Sequence, residues 1–125
     1  MYKIRVFYED TDAAGLVYYA NYLKYIERAR TQLLIDNNFS HTYLKDKFDI
    51  FLIVKSCNIN YLKPAKLDND LEIFTVIIKK SKVQLYLNQK ILYNKKVITE
   101  ANVRIVSINS IGKVVRMPTE LFNIF

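Results

Sequence analysis

Cysteine occurs once in the 125 residues, at Cys57, so the chain can form neither an internal disulfide nor a cysteine-based metal cluster. Glycine and proline number two each. That scarcity leaves few places for long loops or linkers, and regular structure is expected along most of the length. The longest apolar run is the five residues 50–54, far short of the roughly 20 that span a bilayer. The opening MYKIRVFYED has no apolar stretch of the secretory-signal kind. A cytoplasmic protein without stable membrane insertion is therefore expected. Repeats, low-complexity tracts and Pro/Gly-rich linkers are also missing.

About half of the residues are hydrophobic (51%) and a quarter are charged, a balance that folds rather than stays disordered. The length suits one domain, residues 1–125. The net charge of +7 favours anionic partners, although a solvated lysine surface would give the same number. Ten tyrosines and seven phenylalanines are scattered through the chain as packing residues would be. No RNA-binding signature accompanies them, so nucleic acid is not an expected partner.

Residues 2–8 read as a strand and 9–15 as a turn rich in Asp, Thr and Gly. From Asn21 to Asn37, Tyr22, Leu23, Ile26, Ala29, Leu33 and Leu34 recur at helical spacing. Asn21 is the expected N-cap. In residues 50–63, Phe51, Ile53, Cys57, Ile59 and Tyr61 are expected on one face and Ser56, Asn58 and Asn60 on the other, with Pro64 as the stop. Strands follow over 71–79, 83–93 and 96–108, with a turn near Asn94 and a terminal helical turn after Pro118. Residues 71–79 are apolar on both faces, as in a strand covered on both sides. The expected class is α+β: one long helix against a curved antiparallel sheet of about five strands. Apolar side chains left on the far face point to a second subunit.

Residues 5–30, RVFYEDTDAAGLVYYANYLKYIERAR, carry the chemistry. They resemble the start of the hot-dog thioesterases, both the acyl-CoA thioesterases encoded with the Tol-Pal cell-envelope system and the 4-hydroxybenzoyl-CoA thioesterases. The shared pattern is D-x-D-x-x-G, then V-x-[YF]-x-N-Y, then a long helix. Here it is Asp10, Asp12, Gly15, Val17, Tyr19, Asn21 and Tyr22. The resemblance implies a sheet wrapped around the helix, dimers made by strand pairing and often doubled to homotetramers, and active sites at the dimer interface. It also implies that Asp12 is the catalytic carboxylate and that the Tyr19 amide polarises the thioester carbonyl. Gly15, Val17 and Asn21 fall in the substrate-binding signature. Tol-Pal-linked members usually have histidine where this chain has Tyr19.

The chemistry is self-consistent. Thioester hydrolysis passes through an oxyanion, and the amides of 17–21 at a helix start are suited to that charge. A thiolate leaves readily near neutral pH because its conjugate acid titrates near ~8.5. One carboxylate then suffices as nucleophile or general base, and no cofactor is called for. Lys63, Lys79, Lys80 and Lys82 are candidates for the phosphates of coenzyme A, and the basic surface would suit an acidic acyl carrier protein as second donor. Other residues read as structural: Asp10 orients the turn, Glu27 pairs with Arg30, Cys57 is a buried small hydrophobe, and His41 lies on the surface. Two other functions remain open, a hydroxyacyl-thioester dehydratase and a non-catalytic carrier-binding protein of the cell envelope.

Overall fold

A computed structural model describes all 125 residues. Strand β1 (Tyr2–Arg5) leads through a short 3-10 turn (Tyr8–Asp10) to the long helix α1 (Tyr19–Asp36) and then α2 (His41–Phe48). Four strands follow: β2 (Phe51–Tyr61), β3 (Asp70–Lys80), β4 (Gln84–Tyr93) and β5 (Lys96–Ile108). The chain ends near the short α3 (Thr119–Asn123). The strands form one antiparallel sheet in the order β1-β3-β4-β5-β2, and α1 packs on its inner face. This is the hot-dog arrangement that the sequence implied.

Burial against the sheet is what holds α1. Tyr22, Tyr25, Ile26, Ala29 and Leu34 are buried, at spacings of three and four that keep them on one side. They join a core cluster of 22 residues that includes Leu71, Ile73, Leu87, Ile91, Ala101 and Val103 from β3, β4 and β5. Leu23 is instead exposed, and Tyr25 takes the place expected for it. The N-cap lies three residues earlier than expected, at Tyr18 instead of Asn21. Asn21 faces back: its side-chain amide donates to the Asp10 carbonyl at 2.8 Å.

The helix α2 was not anticipated. Ser40 caps it by accepting from the Tyr43 amide at 3.0 Å, and Leu44 is wholly buried beneath it. His41 is its first residue.

Strand β2 departs from simple alternation. Val54 stands opposite Ile105 but Ser56 stands opposite Arg104, so Lys55 forms a bulge. The bulge switches faces. Leu52 and Val54 lie on the helix side with Cys57, Ile59 and Tyr61, while Phe51 and Ile53 turn outward with Ser56, Asn58 and Asn60. The expected single face of Phe51, Ile53, Cys57, Ile59 and Tyr61 is therefore split. Cys57 is exposed rather than buried, because β2 is an edge strand with nothing beyond it. Strand β3 is covered on the helix side only: Phe74, Val76 and Ile78 are exposed on the other.

Candidate functional site

The turn that carries Asp12 is closed by its own backbone. The Asp12 amide donates to the Leu16 carbonyl at 2.8 Å, and the Gly15 amide donates back to the Asp12 carbonyl at 3.0 Å. Gly15 sits at φ +77°, a region that L side chains resist. One oxygen of the Asp12 carboxylate, Oδ1, accepts from the amides of Ala14 (2.9 Å) and Leu16 (3.2 Å). The second oxygen, Oδ2, has no partner in the chain. Half of the carboxylate positions the group and half is available.

One neighbouring loop, residues 65–67, clamps this turn. Val17 is buried and its amide donates to the Ala65 carbonyl at 2.9 Å. Leu16 bridges Lys66, and Leu67 donates to the Gly15 carbonyl at 3.2 Å. The Tyr22 hydroxyl accepts from the Ala65 amide at 2.9 Å, locking the helix to the same loop. Burial raises the pKa of that phenol, while the Ala65 bond works against the rise. Asp10 behaves as expected: its Oδ2 accepts from the Phe7 amide at 2.9 Å, and its carbonyl receives the Tyr18 amide and the Asn21 side chain. The buried Tyr25 hydroxyl lies near the Asp10 carboxylate without forming a hydrogen bond. Burial first, and that carboxylate second, push its pKa well above the ordinary value.

At the start of α1, the amides of Tyr19 and Ala20 have no acceptor within the chain. First-turn amides are the natural donors for an anion. The Tyr19 ring is 62% exposed and packs edge-on to Tyr61 with ring centroids 6.3 Å apart. The Tyr61 hydroxyl reaches the Tyr19 carbonyl at 3.4 Å. Sequence reasoning missed Tyr61 as the neighbour of Tyr19, while the Ala20 amide lies within the 17–21 run it named.

The basic residues are divided. Lys63 is exposed beyond β2 near the Asp12 end. Lys79 and Lys82 are exposed around the β3–β4 turn, the full length of β3 away, roughly 30 Å at about 3.3 Å per residue. Lys80 is already engaged: its ammonium donates to the carbonyls of Phe122 (3.0 Å) and Phe125 (2.6 Å) and lies over the Phe122 ring. Lys80 thus fastens the C-terminal segment.

The expected Glu27–Arg30 pair does not form. Glu27 accepts from the Thr31 hydroxyl at 2.7 Å, and Arg30 Nη1 donates to Gln89 at 3.0 Å. The Thr31 hydroxyl also meets His41 Nε2 at 3.0 Å, joining α1 to α2. Cys57 is no ready nucleophile, because partial burial raises its thiol pKa and Arg30 only partly offsets the rise.

Residues 6–125 match the family described as the thioesterase-like superfamily. The acyl-CoA thioesterase YbgC of Haemophilus influenzae is 34% identical over 122 residues, covering 96% of this chain and 89% of its own. The acyl-CoA thioester hydrolase YbgC of Escherichia coli O6:H1 is 38% identical over 109 residues, covering 86% and 81%. A probable thioesterase from Bartonella henselae superposes with a TM-score of 0.90 at 36% identity, covering 94% of this chain and 97% of that one. With the fold, the Asp12 turn and the open helix start all in place, the chain belongs to the thioesterase-like superfamily of hot-dog enzymes.

Proposed function

We propose that this protein hydrolyses acyl-CoA thioesters to free acid and thiol, with Asp12 as nucleophile or general base and the amides of Tyr19 and Ala20 as oxyanion donors. The observation that carries this reading is the pairing of a half-free carboxylate with two unpartnered amides at a helix start. Oδ1 fixes the group while Oδ2 is left without a partner in the chain, as a reacting oxygen requires. The amides supply charge stabilisation that strengthens as the carbonyl oxygen becomes an anion. Oδ2 either attacks the carbonyl carbon, giving a mixed anhydride that water opens, or removes a proton from an attacking water. In both routes the C–S bond breaks and the electron pair leaves on sulfur. Gly15, Val17 and Asn21 hold this geometry through the backbone bonds described above. The imidazole that Tol-Pal-linked relatives carry at position 19 has no part in this scheme.

The site is proposed to be completed by a second copy of the chain. Strand β2 is an 11-residue edge with Ile53, Val54 and Tyr61 all more than 40% exposed, the kind of edge that pairs or aggregates. Two such edges related by a twofold axis run antiparallel. The Asp12 end of one copy would then lie beside the β3–β4 turn of the other. That brings the second copy's basic turn, with Lys79 and Lys82, toward the thioester, where the coenzyme A phosphates could be met; Lys63 would serve from the first copy. Doubling to a tetramer would cover Phe74, Val76 and Ile78. An acidic acyl carrier protein is a second donor that the +7 charge favours, and we assign the reaction to the cytoplasm.

The test is thiol release from short, long and aromatic acyl-CoAs. Asp12→Asn is expected to lower turnover by about 10²–10⁴, the range of a lost acid–base group, with folding and assembly unchanged. Turnover near the unsubstituted level would remove Asp12 from the reaction.

A further inference from the structure

Between the second half of α1 and the sheet lies a cavity of about 190 Å³. Its walls are mostly apolar, with Leu34, Leu52, Leu87 and Ile105 among them. One side is polar and is formed by Glu27, Arg30, Thr31 and His41.

Arg30 is the unusual member. It is half-buried in the apolar stripe of α1, and desolvation lowers its pKa, with Glu27 partly offsetting the effect. A guanidinium carries five N–H donors, yet the one hydrogen bond Arg30 makes from its side chain is to Gln89. The sole ion pair in the chain is Arg5 with Asp70, so no carboxylate oxygen lies within 4.0 Å of Arg30. Gln89 itself is wholly buried and fixed by donating to the Ile26 carbonyl and Thr75 hydroxyl, both at 2.9 Å. The network therefore holds the guanidinium at the cavity wall without using up its donors. A charge drawn partly out of water is ordinarily partnered, and the cavity opens beside this one.

We propose that this cavity takes the acyl group of the substrate and that Arg30 is its specificity-determining residue, donating to an oxygen at the far end of that group. The proposal rests on the thioesterase reading above. The oxygen is a hydroxyl or ketone rather than a carboxylate, because Glu27 shares the wall and would repel an anion. A hydroxyl can accept from Arg30 and donate to Glu27 at once. The volume sets the size: a cavity of about 150 Å³ already admits benzene, so one ring or a short chain fits and a long fatty chain does not. Access follows from the proposed β2 pairing, which sets the cavity end of one copy beside the Asp12 end of the other.

Calorimetric titration of the Asp12→Asn protein with 6-hydroxyhexanoyl-CoA and with heptanoyl-CoA, matched in heavy atoms, tests this. The hydroxylated thioester is expected to bind about tenfold tighter, the effect of one charge-assisted hydrogen bond. Adding Arg30→Met is expected to erase the difference while heptanoyl-CoA affinity stays within about threefold. Equal affinities without the Arg30 change, failure of both thioesters to bind, or a preference that survives Arg30→Met would overturn the proposal. Leu87→Phe, which fills the cavity, gives a second reading that leaves Arg30 in place: affinity for both thioesters should fall, and unchanged affinity would also overturn it. Loss of the hydrolysis reading would show separately, as absence of thiol release from either thioester by the unsubstituted protein while the binding preference persists.

Discussion

The two ends of α1 are built on opposite plans. At its start, the Asp12 turn is a small polar structure cross-linked by backbone amides and carbonyls, with the Asp12 side chain exposed. About 16 Å along the helix, at 1.5 Å per residue, Arg30 faces a mostly apolar cavity and makes one side-chain hydrogen bond, to Gln89. The first end fixes atoms to within hydrogen-bond tolerance, as bond-making chemistry needs. The second offers shape and a few polar groups on one wall, as selection of a ligand needs. Damage to the first should therefore show mainly in rate, and damage to the second mainly in stability and preference.

Leu87→Ala at the hollow end is expected to have the largest effect on folding. Leu87 is 5% exposed and lines the cavity, and such truncations cost about 2–5 kcal/mol. Denaturant unfolding measures the loss, while turnover at saturating acyl-CoA should fall far less than in Asp12→Asn wherever the protein stays folded. A comparable collapse in turnover would mean that the two ends are not separable. Tyr22→Phe comes next. It strands the amide of Ala65, which is fully buried, at a cost of about 1–3 kcal/mol, and it loosens the clamp under the Asp12 turn. Gly15→Ala should cost only about 1 kcal/mol, because no atom lies within 4 Å of the added methyl and the penalty is backbone strain at positive φ. Its turnover should nevertheless fall at least tenfold as the Asp12 anchor shifts. If Gly15→Ala lost stability without losing rate, the contrast between the ends would be broken.

The smallest effect belongs to neither end. Arg5 and Asp70 form an exposed ion pair with N···O 2.8 Å, and the Arg5 guanidinium lowers the Asp70 pKa. A depressed carboxylate contributes stability that is present above its unfolded pKa and lost as pH falls through its folded one. Acid titration below the usual aspartate range should therefore reveal a small loss that is missing in Asp70→Asn and weakened by salt.

The polar end was readable in the sequence because its chemistry is local. D-x-D-x-x-G specifies a turn by residue type, and the structure keeps Asp10, Asp12 and Gly15 within it. Helix α1 was readable too, although its first residue was misplaced: Asn21 looked like a cap, yet its side chain is taken by the Asp10 carbonyl, a contact outside any helix-start rule. The hollow end was hidden because it is made by distant segments. Arg30 falls four residues after Ile26, inside the apolar stripe, and a charge at that position was the available sign. Pairing it with Glu27 by helix spacing overlooked Gln89, which comes from across the sheet. The burial of Cys57 and the face of Phe51 were misread for related reasons. Strand order decides which strand is an edge, and a one-residue bulge at Lys55 reverses the alternation on either side of it.

The hairpin between β4 and β5 closes through Asn94 and Lys95, both in the left-handed region, a turn geometry that matches strand twist and assembles from neighbouring residues alone. Strands β1 and β2 have no such advantage: Tyr2 must find Ile73, and Phe51 must find Ile108. Distant pairings are the slow ones in folding, since chain closure comes before any contact rewards it. Contact order therefore predicts a sheet that grows outward from its middle, with the edge strands β1 and β2 the last to arrive. On that order a nascent chain acquires its core before the exposed edge of β2 is laid down, so that edge is not left to seek partners while the interior is still unmade.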